Sequence, residues 1–416
     1  MRMQFRFAPW RLCARISPVP IVLDLSTTAH CAAATGVQRV TRQLFAALEE
    51  IDAEPVPVVY DPYGKRWRSP DTLEDALLRP AAAESPAGNR REVWSFGQKL
   101  NGWMRRGDEP DWPALRGAPL LAPEIFSAGI FTAQADLRQK LGGPAAAIFY
   151  DAVALRYPQL APPATVARTE NYLRELATLD SVAAISEASR LDLVEQWARL
   201  GVEKRPAATA MPLGVSVPAR PAQPQTANQL RLSPLVLSVG SIEGRKNHRA
   251  LLEAAEMLWR EGRNFQLILA GLPRPETAAA ALKLAANLQA SGRPLQLAGA
   301  LPDSRLEDLY AKCRFTVYPS LYEGFGLPVA ESLARGRPCI CGQGGALAEV
   351  ARGGGCLVVE EPTAEHLAAA MRGLLDDDSL YFRLSGEAGQ RRFPSWADYA
   401  RRLREWLETL PHPGGP

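Results

Sequence analysis

Twice along this chain, short apolar runs of strand length end in loops that lead into helices with one apolar stripe. A proline-rich stretch separates the two series. In the first half, residues 20–26 (Pro-Ile-Val-Leu-Asp-Leu-Ser) form an unbroken apolar run, the signature of a strand buried on both faces. Gly36 then opens a segment in which Val37, Val40, Leu44 and Leu48 recur at helical spacing. Further strands are expected at 56–60, 120–123, 145–151 and 181–186, with helices at 163–179 and 187–200. Residues 61–118, rich in Pro, Gly and Arg, read as irregular.

In the second half, strands are expected at 235–240, 265–270, 295–298 and 315–319, with helices at 247–261, 277–290, 303–312 and 328–335. Strands alternating with helices in both halves imply two doubly wound parallel α/β domains. The stretch from Pro218 to Gln229 has linker composition. The expected organisation is therefore 1–217 as the first domain, 218–232 as linker, 233–394 as the second domain and 395–411 as a closing helix. That helix begins with Ser395 and Asp398 in the spacing of a variant capping box. It carries Trp396, Tyr399, Leu403, Trp406, Leu407 and Leu410 as an apolar stripe.

Composition narrows the function. At 416 residues, 47% hydrophobic and 22% charged, the chain is globular. Its 48 basic and 45 acidic residues give a net charge of +3, which argues against a general nucleic-acid binder. Six cysteines lack a paired framework and suit a reducing compartment; Cys339 and Cys341 sit on an apolar strand as buried thiols. No apolar run reaches the roughly 20 residues of a membrane-spanning helix, and no signal-peptide pattern is present. The four histidines are not spaced with other ligands, and Asp376-Asp377-Asp378 reads as a solvated helix terminus, so no metal site is expected.

In open α/β sheets, ligands bind in loops beyond the carboxyl ends of strands. One such loop, residues 240–248 (Gly-Ser-Ile-Glu-Gly-Arg-Lys-Asn-His), places Arg245 and Lys246 just before a helix, where cations neutralise a diphosphate. Solvated basic residues would read the same way. Another, residues 318–331, sets Glu323 in a loop and Glu331 about two turns along the following helix, with Gly324 and Gly326 between them. Such glycines let backbone N–H groups approach a ligand closely, and a helix carboxylate can take the vicinal hydroxyls of a ribose.

The stretch Glu323-Gly-Phe-Gly-Leu-Pro-Val-Ala-Glu331 resembles the E-x7-E motif of retaining GT-B glycosyltransferases, specifically glycosyltransferase family 4. Residues 239–248 resemble that family's diphosphate loop. Residues 35–40, 150–151, 184–189, 211–215, 297–303 and 306–310 match further family motifs in order. The resemblance implies two Rossmann-like domains facing across a cleft, with the C-terminal helix crossing back to the first. It implies that Arg245 and Lys246 stabilise the leaving diphosphate, Glu331 holds the donor ribose and Glu323 contacts the transferred sugar. Gly324, Phe325, Gly326 and Leu327 would line sugar and phosphate, and Gly36 would face the diphosphate across the cleft. Asp151 would reach the sugar or acceptor, with Gly240, Gly271, Ala300 and Leu301 completing the donor site. Two departures stand out: Tyr150 replaces a histidine found in many members, and Ser241 replaces an arginine found in some.

The implied activity is a metal-independent hexosyltransferase that moves a sugar, with retention, from a nucleotide-sugar to a glycan or lipid-linked acceptor. It needs no cofactor. Among family members, residues 35–40 and 245–247 look most like bacterial mannosyltransferases of surface polysaccharide, which favours GDP-mannose; UDP- and dTDP-sugars stay open. A nucleotide-sugar epimerase is the competing enzyme, and a catalytically silent binding subunit is another. A dinucleotide oxidoreductase is disfavoured by the absent G-x-G-x-x-G. The expected location is cytoplasmic. A peripheral contact with the anionic inner membrane surface rests on Arg90, Arg91, Lys99, Arg105 and Arg106, interleaved with Trp94, Phe96, Trp103 and Met104.

Overall fold

The computed structural model describes residues 19–32, 35–80, 94–216 and 234–412. The expected linker at 218–232 therefore lies outside the described residues, as do Arg90 and Arg91.

The first sheet begins with β1 (Ile21–Asp24), followed by α1 (Gly36–Glu50), β2 (Pro55–Asp61), β3 (Arg66–Arg68), α2 (Thr72–Leu78) and α3 (Phe96–Trp103). It continues with β4 (Leu120–Ala122), α4 (Ala128–Leu141), β5 (Ala145–Phe149), α5 (Val153–Arg156) and α6 (Pro163–Leu176). β6 (Ser181–Ala184), α7 (Glu187–Arg199) and β7 (Ala207–Ala210) complete it. The strand order is β3-β2-β1-β4-β5-β6-β7, parallel except for β3, which pairs antiparallel with β2. The order reverses direction between β1 and β4.

The second sheet comprises β8 (Leu235–Val239), α8 (His248–Arg260), β9 (Gln266–Ala270), α9 (Pro275–Ala290), β10 (Leu295–Gly299) and α10 (Asp303–Lys312). β11 (Phe315–Tyr318), α11 (Leu327–Ala334), β12 (Cys339–Cys341), α12 (Leu347–Ala351) and β13 (Cys356–Val358) follow, then α13 (Ala364–Asp376) and α14 (Asp378–Gln390). All its pairings are parallel, in the order β10-β9-β8-β11-β12-β13, with the reversal between β8 and β11. These are two doubly wound Rossmann-like sheets.

The last helix, α15 (Trp396–Glu408), starts with the expected capping box: Ser395 Oγ accepts from Asp398 N, and Asp398 reaches back to Ser395 N. It crosses to the first domain and packs on α1. Tyr399, Leu403 and Leu407 share one core with Val40, Leu44 and Leu48. Arg402 donates to Pro212 O at 2.9 Å, and Trp396 Nε1 donates to Ser216 Oγ at 3.2 Å.

Residues 61–118 are not irregular throughout. They hold β3, α2 and α3, each short and fastened by charge. Trp67 of β3 is fully buried and donates to Ala133 O, while Arg68 forms a two-pronged pair with Glu74 of α2 at 2.6 and 2.7 Å. Asp71 and Ser95 supply capping boxes to α2 and α3. Buried arginines and glutamates lack the apolar periodicity that marks a core in sequence, so the segment reads as surface. The triple aspartate is more engaged than a solvated terminus: Asp377 caps α14, Asp376 pairs with Arg263, and Asp378 pairs with the buried Arg314.

Candidate active site

A cleft of about 440 Å³ lies between the two sheets. It is lined from the first domain by Gly36, Arg39 and Asp151, and from the second by the loops following β8, β9, β10 and β11. Each of those loops leaves the carboxyl end of a strand, and the β8 and β11 loops flank the point where strand order reverses. A ligand crevice forms at such a place in open sheets.

Lys246, Arg245 and Glu323 meet there. Lys246 Nζ lies 2.5 Å from Glu323 Oε1, and Arg245 Nη1 lies 2.9 Å from Glu323 Oε2. Lys246 also donates to the Tyr318 hydroxyl, and Ser320 Oγ donates to Glu323 at 2.5 Å. Arg245 takes a second acid, Glu243, at 3.0 Å. A tight 3₁₀ turn at Gly244–Lys246 ends in Asn247 with φ of 54°, which turns both cations toward the β11 loop. Burial by itself raises a carboxyl pKa, but Arg245, Lys246 and Ser320 outweigh it and hold Glu323 at about 2. Burial lowers the Lys246 pKa, and Glu323 opposes that shift. Nearby, His248 is buried and its pKa is pushed down to about 3 by burial, with Lys246 adding to the effect.

The loop carrying Glu323 is pressed against the first domain. Ser186 Oγ and Ser189 Oγ donate to Gly324 O at 2.6 and 2.9 Å, and Tyr322 donates its hydroxyl to Asp192 at 2.5 Å. A Cβ at Gly324 would stand 2.3 Å from Tyr150 O, so only glycine permits this approach. At Gly271 a Cβ would stand 1.9 Å from Gly240 O, which holds the β8 and β9 loops together. Glu349 of α12 accepts from Glu187 N and Ala188 N at the start of α7, again across the cleft.

The structure brings the sequence-derived residues together. Gly36, Asp151, Gly240, Arg245, Lys246, Gly271, Ala300, Leu301 and Glu323–Leu327 all line the one cleft. Asp151 is half-buried; desolvation raises its pKa, with Arg245 opposing. Glu331 lies beside the cleft with its carboxylate engaged. Arg39 of α1 reaches across to it at 2.8 Å, and Tyr310 donates to it at 3.4 Å. Tyr150 takes no place in the cleft chemistry through its hydroxyl, which is buried and donates to Pro123 O. Sequence reasoning assigned no role to Tyr318, Ser320, Glu243 or Arg39. Glu243 precedes Arg245 by two residues and Ser320 precedes Glu323 by three, so local spacing held that signal. The Arg39–Glu331 pair joins distant parts of the chain and left none.

The chain is similar to several known proteins. Residues 223–391 match the family model described as glycosyl transferases group 1. Over that stretch the chain is similar to the group 1 glycosyl transferases. The chain is also similar to two Escherichia coli proteins. It is 37% identical over 152 residues to O-antigen chain mannosyltransferase B, covering 36% of this chain and 39% of that one. It is 26% identical over 413 residues to serotype-specific mannosyltransferase WbdA, covering 94% of this chain and 43% of that one. It thus spans less than half the length of either relative. The fold is that of GT-B structures. Sucrose-phosphate synthase from Thermosynechococcus elongatus superposes with a TM-score of 0.65 at 20% identity, covering 94% of this chain and 98% of that one. Anabaena HepE in complex with UDP and glucose gives 0.62 at 13%, covering 94% and 100%.

Proposed function

We propose that this chain is a retaining glycosyltransferase of family 4 that moves mannose from GDP-mannose to a glycan or lipid-linked acceptor in surface polysaccharide synthesis. The observation that carries the reading is the Lys246–Glu323–Arg245 cluster at the strand-order reversal of a group 1 glycosyl transferase domain. The similarity to two O-antigen mannosyltransferases supports the sugar and the setting.

In the proposed reaction an acceptor hydroxyl attacks the anomeric carbon from the face on which the diphosphate departs. The new C–O bond forms as the bond to the β-phosphate oxygen breaks, and the hydroxyl proton passes to a departing phosphate oxygen. Charge develops on the diphosphate. Lys246 and Arg245 are already fixed where that charge grows, so little reorganisation is needed during the reaction. Glu323 orients both cations and faces the sugar, and Glu331 releases Arg39 to take the ribose hydroxyls. Asp151 meets the sugar or the acceptor from the opposite wall.

The acceptor side suggests a membrane partner. Among the described residues no helix is long and apolar enough to cross a membrane. Yet α3 and the residue after it present Phe96, Leu100, Trp103 and Met104 to solvent, with Phe96 75% and Trp103 61% exposed. Leu73 of α2 is exposed as well, and Lys99, Arg105 and Arg106 supply positive charge. An apolar face edged by cations suits the anionic inner face of the cytoplasmic membrane. Trp94 takes no part in such a face, because it stacks on His30 at 3.8 Å.

The test is to incubate the protein with GDP-mannose, UDP-glucose or dTDP-glucose and a mannose-terminated acceptor, reading nucleoside diphosphate release and the anomeric configuration by NMR. GDP release with an α-linked product is expected. Release from UDP-glucose alone would overturn the donor, and an inverted product would overturn the mechanism.

A further inference from the structure

The residues on either side of Glu323 are held by one helix of the first domain. Ser186, Ser189 and Asp192 fall three residues apart, so they are neighbours on one face over the first two turns of α7. All three are buried. Ser186 Oγ donates to Gly324 O at 2.6 Å, and Ser189 Oγ stands 2.9 Å from the same oxygen and 2.7 Å from Tyr150 O. Asp192 accepts from the Tyr322 hydroxyl at 2.5 Å. Its other oxygen pairs with Arg156 at 2.8 Å, and that guanidinium lies over the Tyr322 ring, 4.9 Å from its centre.

Glu323 itself is tied to the same helix at one remove. Its N–H donates to Gly344 O at 3.3 Å, and its carbonyl accepts from Ala346 N at 2.9 Å. A Cβ at Gly345 would stand 2.3 Å from Glu323 O, so the two stretches are in close contact along the backbone. Three residues after Ala346, Glu349 accepts from Glu187 N at 3.2 Å and from Ala188 N at 2.6 Å. These are first-turn amides of α7, which find no partner within a helix. The chain before Glu323, the chain after it and the stretch beside it therefore all lead to the start of α7.

Apolar surfaces can slide past each other, but this polar stripe has a single register. Shifted by one turn, the Ser186 hydroxyl and the Tyr322 hydroxyl would be buried without their partners, which costs free energy. A carboxylate that orients two cations acts only where it is placed, and a displacement of about 1 Å can cost on the order of a hundredfold in rate. Resting on the transferase reading above, we infer that Ser186, Ser189, Asp192 and Glu349 are positioning residues that fix Glu323, and through it Lys246 and Arg245, in the cleft. The first domain thereby sets the geometry of a charge cluster whose members all belong to the second.

Two measurements on the full chain test this. Hydrogen–deuterium exchange without substrate reads the grip. Steady-state transfer from whichever of GDP-mannose, UDP-glucose or dTDP-glucose the wild type uses reads its consequence. Glu349→Ala should speed exchange at residues 187–188 and 323–346 and leave α13 and α14 unchanged. Asp192→Ala and Tyr322→Phe should each lower kcat about tenfold, with the donor KM within about twofold, because the groups that bind the donor stay on the second domain. The two remove one contact, so the double replacement should cost no more than either alone. Asp192→Asn loses the Arg156 pair but keeps an acceptor for the Tyr322 hydroxyl, and it should retain most of the wild-type kcat. Calorimetric titration of each variant with the matching nucleoside diphosphate should give full stoichiometry, which separates a misplaced Glu323 from an unfolded fraction. Unchanged exchange in Glu349→Ala, wild-type kcat in Asp192→Ala, or Asp192→Asn as impaired as Asp192→Ala overturns the inference while the transferase reading stands. No transfer by the wild type from any of the three donors overturns both.

Discussion

The carboxyl ends of the two sheets use their charged residues in opposite ways. In the second domain the β8 and β11 loops turn Lys246, Arg245 and Glu323 toward an open cleft, paired with one another but accessible to a ligand. In the first domain the equivalent residues are turned inward. Asp24, at the end of β1, accepts from Ser26 and Gln134; Glu124, just after β4, accepts from Thr27 N and Thr28 N at 2.9 and 2.8 Å; both are about 3% exposed. His30 and Arg68 converge on a fully buried Glu74. What this domain offers to solvent near those loops is apolar: Phe96, Trp103 and Leu73. The second domain turns charge toward the cleft, and the first, Arg39 and Asp151 apart, consumes its charge in bracing loops and exposes apolar side chains. On the proposed reading, the same topology serves two different partners.

The sharpest break in that comparison is removal of the cleft charges. Lys246→Ala and Glu323→Ala are each expected to reduce transfer at least a hundredfold, on the order of 3 kcal/mol for groups aimed at developing charge. Because the pair is buried, Glu323→Ala leaves Lys246 an uncompensated charge and lowers stability by about 3–5 kcal/mol, whereas Lys246→Ala leaves Glu323 paired with Arg245 and costs less. The double replacement should recover part of that stability and none of the activity. Melting curves beside steady-state rates read both. Wild-type turnover from a folded single variant would show that the cleft charges do not act on the diphosphate.

The inward-turned charges should be visible in the pH dependence of stability. Burial raises the Glu124 pKa to about 8, with the Thr28 hydrogen bonds opposing. A raised carboxyl binds its proton more tightly in the folded state, so the associated stability is present below the ordinary value near 4.5 and is lost as pH rises through 8. Glu323, held at about 2, behaves oppositely: its contribution is present above 4.5 and lost as pH falls toward 2. Between pH 6 and pH 9 the wild type should lose on the order of 3 kcal/mol that Glu124→Gln retains. Urea denaturation of both proteins at the two pH values measures the difference. Parallel losses would mean that Glu124 is ionised in the folded protein at neutral pH.

This contrast also explains what the sequence disclosed. Strands β8, β9 and β11 are buried on both faces and read as apolar runs, and the glycines and cations after them stand in contiguous loops, so the second-domain site was legible residue by residue. The first domain hid its equivalents. β3 is the three residues Arg66-Trp67-Arg68, and its charged members are satisfied by Glu109, Asp61 and Glu74 rather than by water. β7 is Ala207–Ala210, in which three of the four residues are alanine, a residue depleted in strands. α4 carries only a weak apolar stripe and so leaves little trace in sequence, although Ser127 caps its start and Gly142 ends it in the left-handed conformation. Contacts between the sheets, such as Arg39–Glu331 and Tyr322–Asp192, depend on how two domains meet and leave no local pattern.

The exposed apolar face gives a smaller effect. Co-sedimentation with vesicles containing about a third anionic lipid should capture the wild type at low salt, less so as ionic strength screens Lys99, Arg105 and Arg106. Replacing Phe96 or Trp103 by Ser should in each case weaken binding about tenfold, at the low end of the roughly 1.5–3 kcal/mol for a large side chain that leaves water. Both are exposed, so folding should be unaffected. Capture that depends on neither the salt nor these two residues would assign this face another role.

The smallest expected effect is none at all, and it concerns how the second domain manages the charge of a diphosphate. A divalent cation would need carboxylates free to hold it. Of the carboxylates in and beside the cleft, Glu323 is engaged by Lys246, Arg245 and Ser320, Glu243 by Arg245, and Glu331 by Arg39, which leaves Asp151 and Asp303 without an ion pair among the described residues. Among the described residues no three side chains of metal-binding type gather in one place. On the proposed reading, the charge that a metal would supply is carried by Lys246 and Arg245, which a chelator cannot remove. Transfer measured in excess EDTA should therefore proceed at the untreated rate, and added Mn²⁺ or Mg²⁺ should not raise it. If EDTA abolishes transfer and either ion restores it, the ion pairs around Glu323 and Glu331 must open in the working enzyme. The carboxylates would then be metal ligands, and the cleft of the second domain would resemble the first in turning its charges to structure until a ligand releases them.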